Sequence, residues 1–123
     1  MQKREYDLEE RLVNYTCRMI DVVEALPSSR AGIYISGQLI RCCHSPTFNY
    51  GEAQGAESNR DFIHKMRVIL KELKECRVAL KIIRKKEMIK PIQKLNNVYT
   101  ETEELIAIFS KSIITAQKNN ALQ

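Results

Sequence analysis

At 123 residues the chain suits one domain, which can bury roughly two thirds of its unfolded surface without disulfide or metal staples. Four glycines, three prolines and no tryptophan leave too few turn breaks for a β-rich fold, and 44% hydrophobic residues exclude a disordered chain. The net charge of +5 sits almost wholly in one internal stretch, which turns attention to acidic partners.

Four segments carry the period of amphipathic helices. The first, expected over residues 7–26, presents Leu8, Leu12, Tyr15, Met19, Val22 and Leu26 on one stripe, with Asp7 as a candidate cap and Pro27 as its stop. The second, over 29–53, is capped by Ser28 or Ser29 and aligns Ile35, Leu39, Cys42, Pro46, Asn49 and Ala53, so it should continue past Pro46 with a bend. The third, over 59–86, aligns Phe62, Met66, Ile69, Leu73, Cys76, Leu80 and Ile83 in alternating steps of four and three, and Ser58 with Asp61 resembles a capping box. The fourth, over 91–118, aligns Ile92, Leu95, Tyr99, Thr102, Ile106, Phe109, Ile113 and Ala116, with Pro91 in its first turn and a frayed tail from Lys118.

Helices of similar length joined by short connections predict an all-α fold: one antiparallel up-down-up-down four-helix bundle over residues 1–123. No apolar run approaches the ~20 residues of a membrane span, so a cytoplasmic protein without membrane contact is expected. Cys17, Cys42, Cys43 and Cys76 lack the spacing of a zinc or redox site. They read as reduced thiols that pack as small hydrophobes, and neither metal nor cofactor is expected.

Catalysis finds no support: His44 and His64 are the only histidines, no Ser-His-Asp set stands out, and no glycine-rich loop could cradle a phosphate. A non-enzymatic module is expected. Asn49, on the core stripe, and Glu52, one turn on, admit two readings. One is a ligand site; the other is structural, with Asn49 serving the carbonyl of Cys42 that Pro46 leaves without its helical donor.

Residues 38–83 also resemble a known family. Ser45 followed by Asn49, Glu52 and Ala53, then Ser58 with Asp61, Phe62 and Ile63, then Lys71, Glu72 and Glu75 match spaced elements of the bacterial four-helix-bundle family of 23S rRNA intervening-sequence proteins. One departure is that Pro46 follows Ser45 directly, where many members place Pro or Gly two residues on. The resemblance implies a left-handed bundle assembled as a ring, typically a homopentamer, without assigned enzyme activity. The fold is also similar to that of accessory proteins of diversity-generating retroelements, which work with nucleic acid.

Charge supplies the remaining signal. Residues 60–94 hold twelve Lys and Arg against four Asp and Glu, a net +8 between two slightly acidic flanks. At 100° per residue, Arg67, Lys71, Lys74, Lys81 and Lys85 fall opposite the core stripe of the third helix, with Arg60 and His64 in line. Glu72 and Glu75 can pair locally with Lys and Arg neighbours, which would leave a solvated face. Otherwise the ridge is a footprint for RNA or DNA backbones, without the interleaved aromatics that base stacking needs. A protein adaptor without nucleic-acid contact is the competing expectation. Ile63 and Leu70, flanking the core stripe, are candidates for a subunit interface.

Overall fold

The computed structural model describes residues 3–122 and, within them, the side chains of residues 8–119. Helices α1 (Lys3–Ala25), α2 (Arg30–Gln54), α3 (Asn59–Lys85) and α4 (Asn96–Leu122) follow one another, and a 3-10 turn, Ile92–Leu95, leads into α4. No other regular element occurs among the described residues.

The boundaries follow local chemistry. Lys3-Arg4-Glu5 contains no helix breaker, so α1 starts before residue 7 and Asp7 is helical, not a cap. Ser29 accepts the Gly32 N–H at 3.1 Å and starts α2, and Ser58 accepts the Asp61 N–H at 3.0 Å and starts α3. Gly32 must lack a side chain, because a Cβ there would lie 1.9 Å from the Pro27 carbonyl oxygen. At the far end of α3, Met88 N–H donates to Ile83 O at 3.0 Å and Glu87 N–H to Arg84 O at 3.1 Å. This is the Schellman arrangement, with Glu87 rather than glycine in the left-handed region at φ 49°.

The fourth helix starts later than expected. Pro91 is extended, and the first turn after it is the tighter 3-10 form, closed by Lys94 N–H to Pro91 O at 3.1 Å. That turn delivers Leu95 into the core before the α-helix begins at Asn96. With no proline or glycine after residue 118, α4 continues to Leu122 in place of the expected frayed tail.

Side-chain contacts show the antiparallel order, since partner numbers rise on one helix as they fall on the next. Leu12 and Thr16 of α1 meet Thr47 and Cys43 on α2; Glu52 and Arg41 of α2 meet Lys65 and Glu75 on α3; Asn59 and Arg77 of α3 meet Ala116 and Glu103 on α4. The circuit closes where Tyr15 meets Thr102, 2.7 Å apart. Thr102 gives its own hydrogen to Val98 O at 2.7 Å, so Tyr15 is the donor in that buried bond. The result is an all-α four-helix bundle.

The expected stripes fill the core. Leu12, Tyr15 and Met19 of α1 pack with Leu39 and Cys42 of α2, Ile69, Leu73 and Leu80 of α3, and Leu105 and Phe109 of α4, all buried. One stripe is corrected. Past Pro46 the core side of α2 is carried by Tyr50, not Asn49, and Tyr50 sets its ring edge-on to Phe109 at 6.0 Å. Around Pro46, which lacks an N–H to donate, α1 lends support: Thr16 Oγ1 lies 3.0 Å from Cys43 O and 2.7 Å from the Thr47 hydroxyl.

Leu73 is fully buried and Lys74 exposed, which sets a direct check on the face assignment. Leu73→Ala should destabilise by about 2 to 5 kcal/mol in denaturant unfolding. Lys74→Ala should change stability by less than about 0.5 kcal/mol, and equal effects would contradict this core.

Candidate nucleic-acid interface

Helix α3 carries Arg67, Lys71, Lys74, Lys81 and Lys85 on its outer side, and all five are exposed. None makes an ion pair or side-chain hydrogen bond with another described residue. Three other cations of the helix are engaged, while Arg60, in line with the ridge, is exposed like the five. Lys65 bridges to Glu52 at 2.7 Å, Arg77 to Glu103 at 3.2 Å, and Arg84 lies 4.4 Å over the Tyr99 ring.

The carboxylates expected to neutralise this face locally do not do so. Glu72 and Glu75 turn to Arg41 of α2, whose Nη1 reaches Glu72 at 3.2 Å and whose Nη2 reaches Glu75 at 3.0 Å and Gln38 at 3.0 Å. Bonding to Glu75, and then the charge of Glu72, raises the Arg41 pKa above its ordinary value. Glu72 is buried, a position that helical period alone does not assign to a carboxylate.

A groove of about 820 Å³ lies between α2 and α3 beside this ridge. Its floor is apolar, from Ile35 of α2 and Leu70, Val78, Ala79 and Ile82 of α3. Arg67, Lys71 and Lys74 line the α3 side, and Tyr34 and Arg41 the α2 side. Tyr34 is 66% exposed, so one aromatic joins the groove from α2, although none interleaves with the cations on α3 itself. It was missed because it comes from the neighbouring helix.

The remaining expected residues divide differently. Asn49 is half-buried and donates to Ser45 O at 2.9 Å and to Ser45 Oγ at 3.0 Å, so it serves Ser45 rather than the carbonyl of Cys42. Glu52 holds Lys65 across helices, Ser58 and Asp61 form the α3 cap, and Phe62 packs partly buried on the core. These residues share the α2–α3 connection and its flanks, and their recorded contacts are structural. Ile63, expected at a subunit interface, is only 8% exposed in the protomer, and Leu70 is half-buried in the groove.

The thiols show no metal-ligating arrangement. Among the described residues no group of three or more His, Cys, Asp and Glu converges to hold an ion. Cys76 donates to the Cys42 sulfur at 3.2 Å, and His44 Nδ1 donates to Ile40 O at 2.6 Å while its ring stacks on Phe48. Burial pushes the Cys43 thiol up to about 12, and the bond to Cys42 together with burial holds Cys76 well above the ordinary thiol value.

Sequence and fold match a known family. The sequence profile of the 23S rRNA-intervening sequence proteins covers residues 4–111, and the chain belongs to that family. A solved structure, a protein of unknown function from the S23 ribosomal protein family of Bacteroides thetaiotaomicron, is 23% identical with a TM-score of 0.78. The alignment covers 85% of this chain and 96% of that one, and it shows a shared fold. No curated protein matches the chain.

Cys17 is the exposed cysteine, whereas Cys42, Cys43 and Cys76 are buried and free. In native protein near pH 8, a thiol reagent should therefore titrate one cysteine promptly and the other three only on unfolding. Fewer than four after unfolding without reductant would reveal a bridge.

Proposed function

We propose that the chain is a non-catalytic, oligomeric bundle that binds RNA or DNA backbones through the outer face of α3. The carrying observation is the set of five exposed cations whose neighbouring carboxylates are held by Arg41. Such a face concentrates positive potential, and phosphate binding to it gains by releasing counterions. Membership of a family named for 23S rRNA intervening sequences accords with a nucleic-acid setting. A cytoplasmic location accords with four unbridged cysteines, and no described helix is long and apolar enough to cross a membrane.

Assembly is supported by the outer side of α2. Ile33 is 64% and Phe48 65% exposed, with Ile40 between them. Gly37 and Gly51 lie along the same helix, and a Cβ on either would meet open space. Glycine within a helix costs about 0.5 to 1 kcal/mol relative to alanine, and nothing inside this protomer requires it at those positions. A subunit lying close against α2 would use both the apolar side chains and the missing ones, and the family resemblance favours a ring of five. The same exposed side chains support a second reading, a protein scaffold without nucleic-acid contact.

Light scattering should report a mass several times 14.3 kDa, and joint Ile33→Asp and Phe48→Asp substitution should return it to 14.3 kDa with helicity retained. A wild-type monomer at micromolar concentration would rule out assembly.

For the ridge, affinity should fall steeply with salt, with a log-log slope of about −0.7 to −0.9 per phosphate neutralised. Lys71→Glu, Lys74→Glu and Lys81→Glu together should abolish binding in anisotropy titrations while circular dichroism and oligomer mass stay unchanged. If wild type binds neither RNA nor DNA in ~50 mM salt, the ridge is only solvated and the scaffold reading takes over.

A further inference from the structure

We infer that the α2–α3 groove takes unpaired nucleotides, with a base stacked on Tyr34 at one end and the phosphates of neighbouring nucleotides held by Arg67, Lys71 and Lys74 toward the other. The inference rests on the proposed nucleic-acid reading and narrows its ligand from any phosphate backbone to single strands. Three features of the groove carry it.

The first is its mixed lining. A duplex keeps its bases stacked inside and offers a protein face mostly phosphate and sugar, which a basic ridge alone would satisfy. An apolar floor gains nothing from such a ligand. A single strand presents base faces beside its phosphates, and it needs apolar or aromatic surface next to cations. Here Val78 and Ile82 form exposed floor and Arg67, Lys71 and Lys74 border the same groove.

The second feature is Tyr34. It is two-thirds exposed, makes no side-chain hydrogen bond to another described residue, and lines the groove with Val78 and Ile82. Because α2 and α3 are antiparallel, Tyr34 stands at one end of the groove and Arg67 at the other. The α3 residues lining it run from Arg67 to Ile82, a length of about 22 Å at the helical rise. That length fits a short run of nucleotides.

The third is charge. Four cations line the groove, Arg41, Arg67, Lys71 and Lys74, against one carboxylate, Glu75, which Arg41 already binds. With Arg41 held by Glu72 and Glu75, the groove keeps three uncommitted cations at its Arg67 end and an apolar, aromatic lining at its Tyr34 end, and a protein segment would fill it only if it brought acidic side chains to the first.

The test uses the full-length chain with three fluorescent probes in ~50 mM salt: a uridine homopolymer single strand, an RNA duplex of equal length, and an acidic amphipathic helical peptide. The single strand should bind tighter than the duplex. Tyr34→Leu should weaken single-strand binding roughly 5- to 150-fold, the loss of one stacked base, with duplex binding unchanged. Tyr34→Phe should retain single-strand affinity, because the ring and not the hydroxyl does the stacking. Duplex binding equal to or tighter than single-strand binding, or no loss in Tyr34→Leu, would overturn the inference and leave the phosphate-binding ridge standing if the Lys71, Lys74 and Lys81 reversals still abolish binding. Failure of both nucleic acids to bind would overturn the ridge and the groove together. Tighter binding of the peptide than of either nucleic acid would reassign the groove to a protein partner.

Discussion

Glu72 is a carboxylate of α3 with only 7% of its surface exposed, and such a group needs polar partners in place of the water it loses. Arg41 is such a partner, and its planar fork allows one guanidinium to reach Glu72, Glu75 and Gln38 at once. Two consequences follow from this contact. The register of α2 against α3 is fixed at their middle, where Cys42 and Cys76 also meet. Lys71, one turn before Glu75 and spaced to pair with it, is left without that partner. The positive ridge of α3 thus depends on a residue of α2.

Much of the bundle was legible because each core stripe lies on a single helix. Leu12, Tyr15, Met19 and Val22, or Ile69, Leu73, Cys76 and Leu80, bury as their spacing demands. Ambiguity arose where two adjacent residues serve one face equally well. Asn49 and Tyr50 both lie within reach of the core side after Pro46, and the larger, less polar ring wins the buried place while the amide is satisfied at the edge by Ser45. The start of α4 was misplaced because Pro91 suits both a first helical turn and an extended residue before one, and the sequence does not separate the two. Ile63 was assigned to an outer flank, but a helix with neighbours on both sides buries a wider arc than a narrow stripe describes.

The functional surfaces were less legible for a related reason. Periodicity reads one helix at a time, whereas the groove combines α2 and α3 and the cation balance is settled by contacts between them. The +8 stretch was visible in the chain, but the pairing of Glu72 with Arg41 and the position of Tyr34 depend on packing. Fold similarity at 23% identity carries the bundle alone, and the surface has to be argued from this chain's own side chains.

The distribution of charge around the bundle adds direction to that surface. On the α1–α4 side Arg11 is held between Glu101 and Glu104 at 2.7 and 3.0 Å, and Glu103 takes Arg77 from α3. Helices α1 and α4 together carry six Lys and Arg against nine Asp and Glu, so that side holds no net positive charge to attract a polyanion. On the α2–α3 side the balance is reversed, because one arginine of α2 binds two carboxylates of α3 and leaves the lysines exposed. The bundle is two helices across, ~20 Å and so more than twice the ~8 Å Debye length at physiological salt, and the resulting polarity would orient an approaching phosphate chain toward one face. Binding on the proposed reading is then a property of the α2–α3 pairing itself, and any change that releases Glu75 from Arg41 weakens the ridge without touching a lysine.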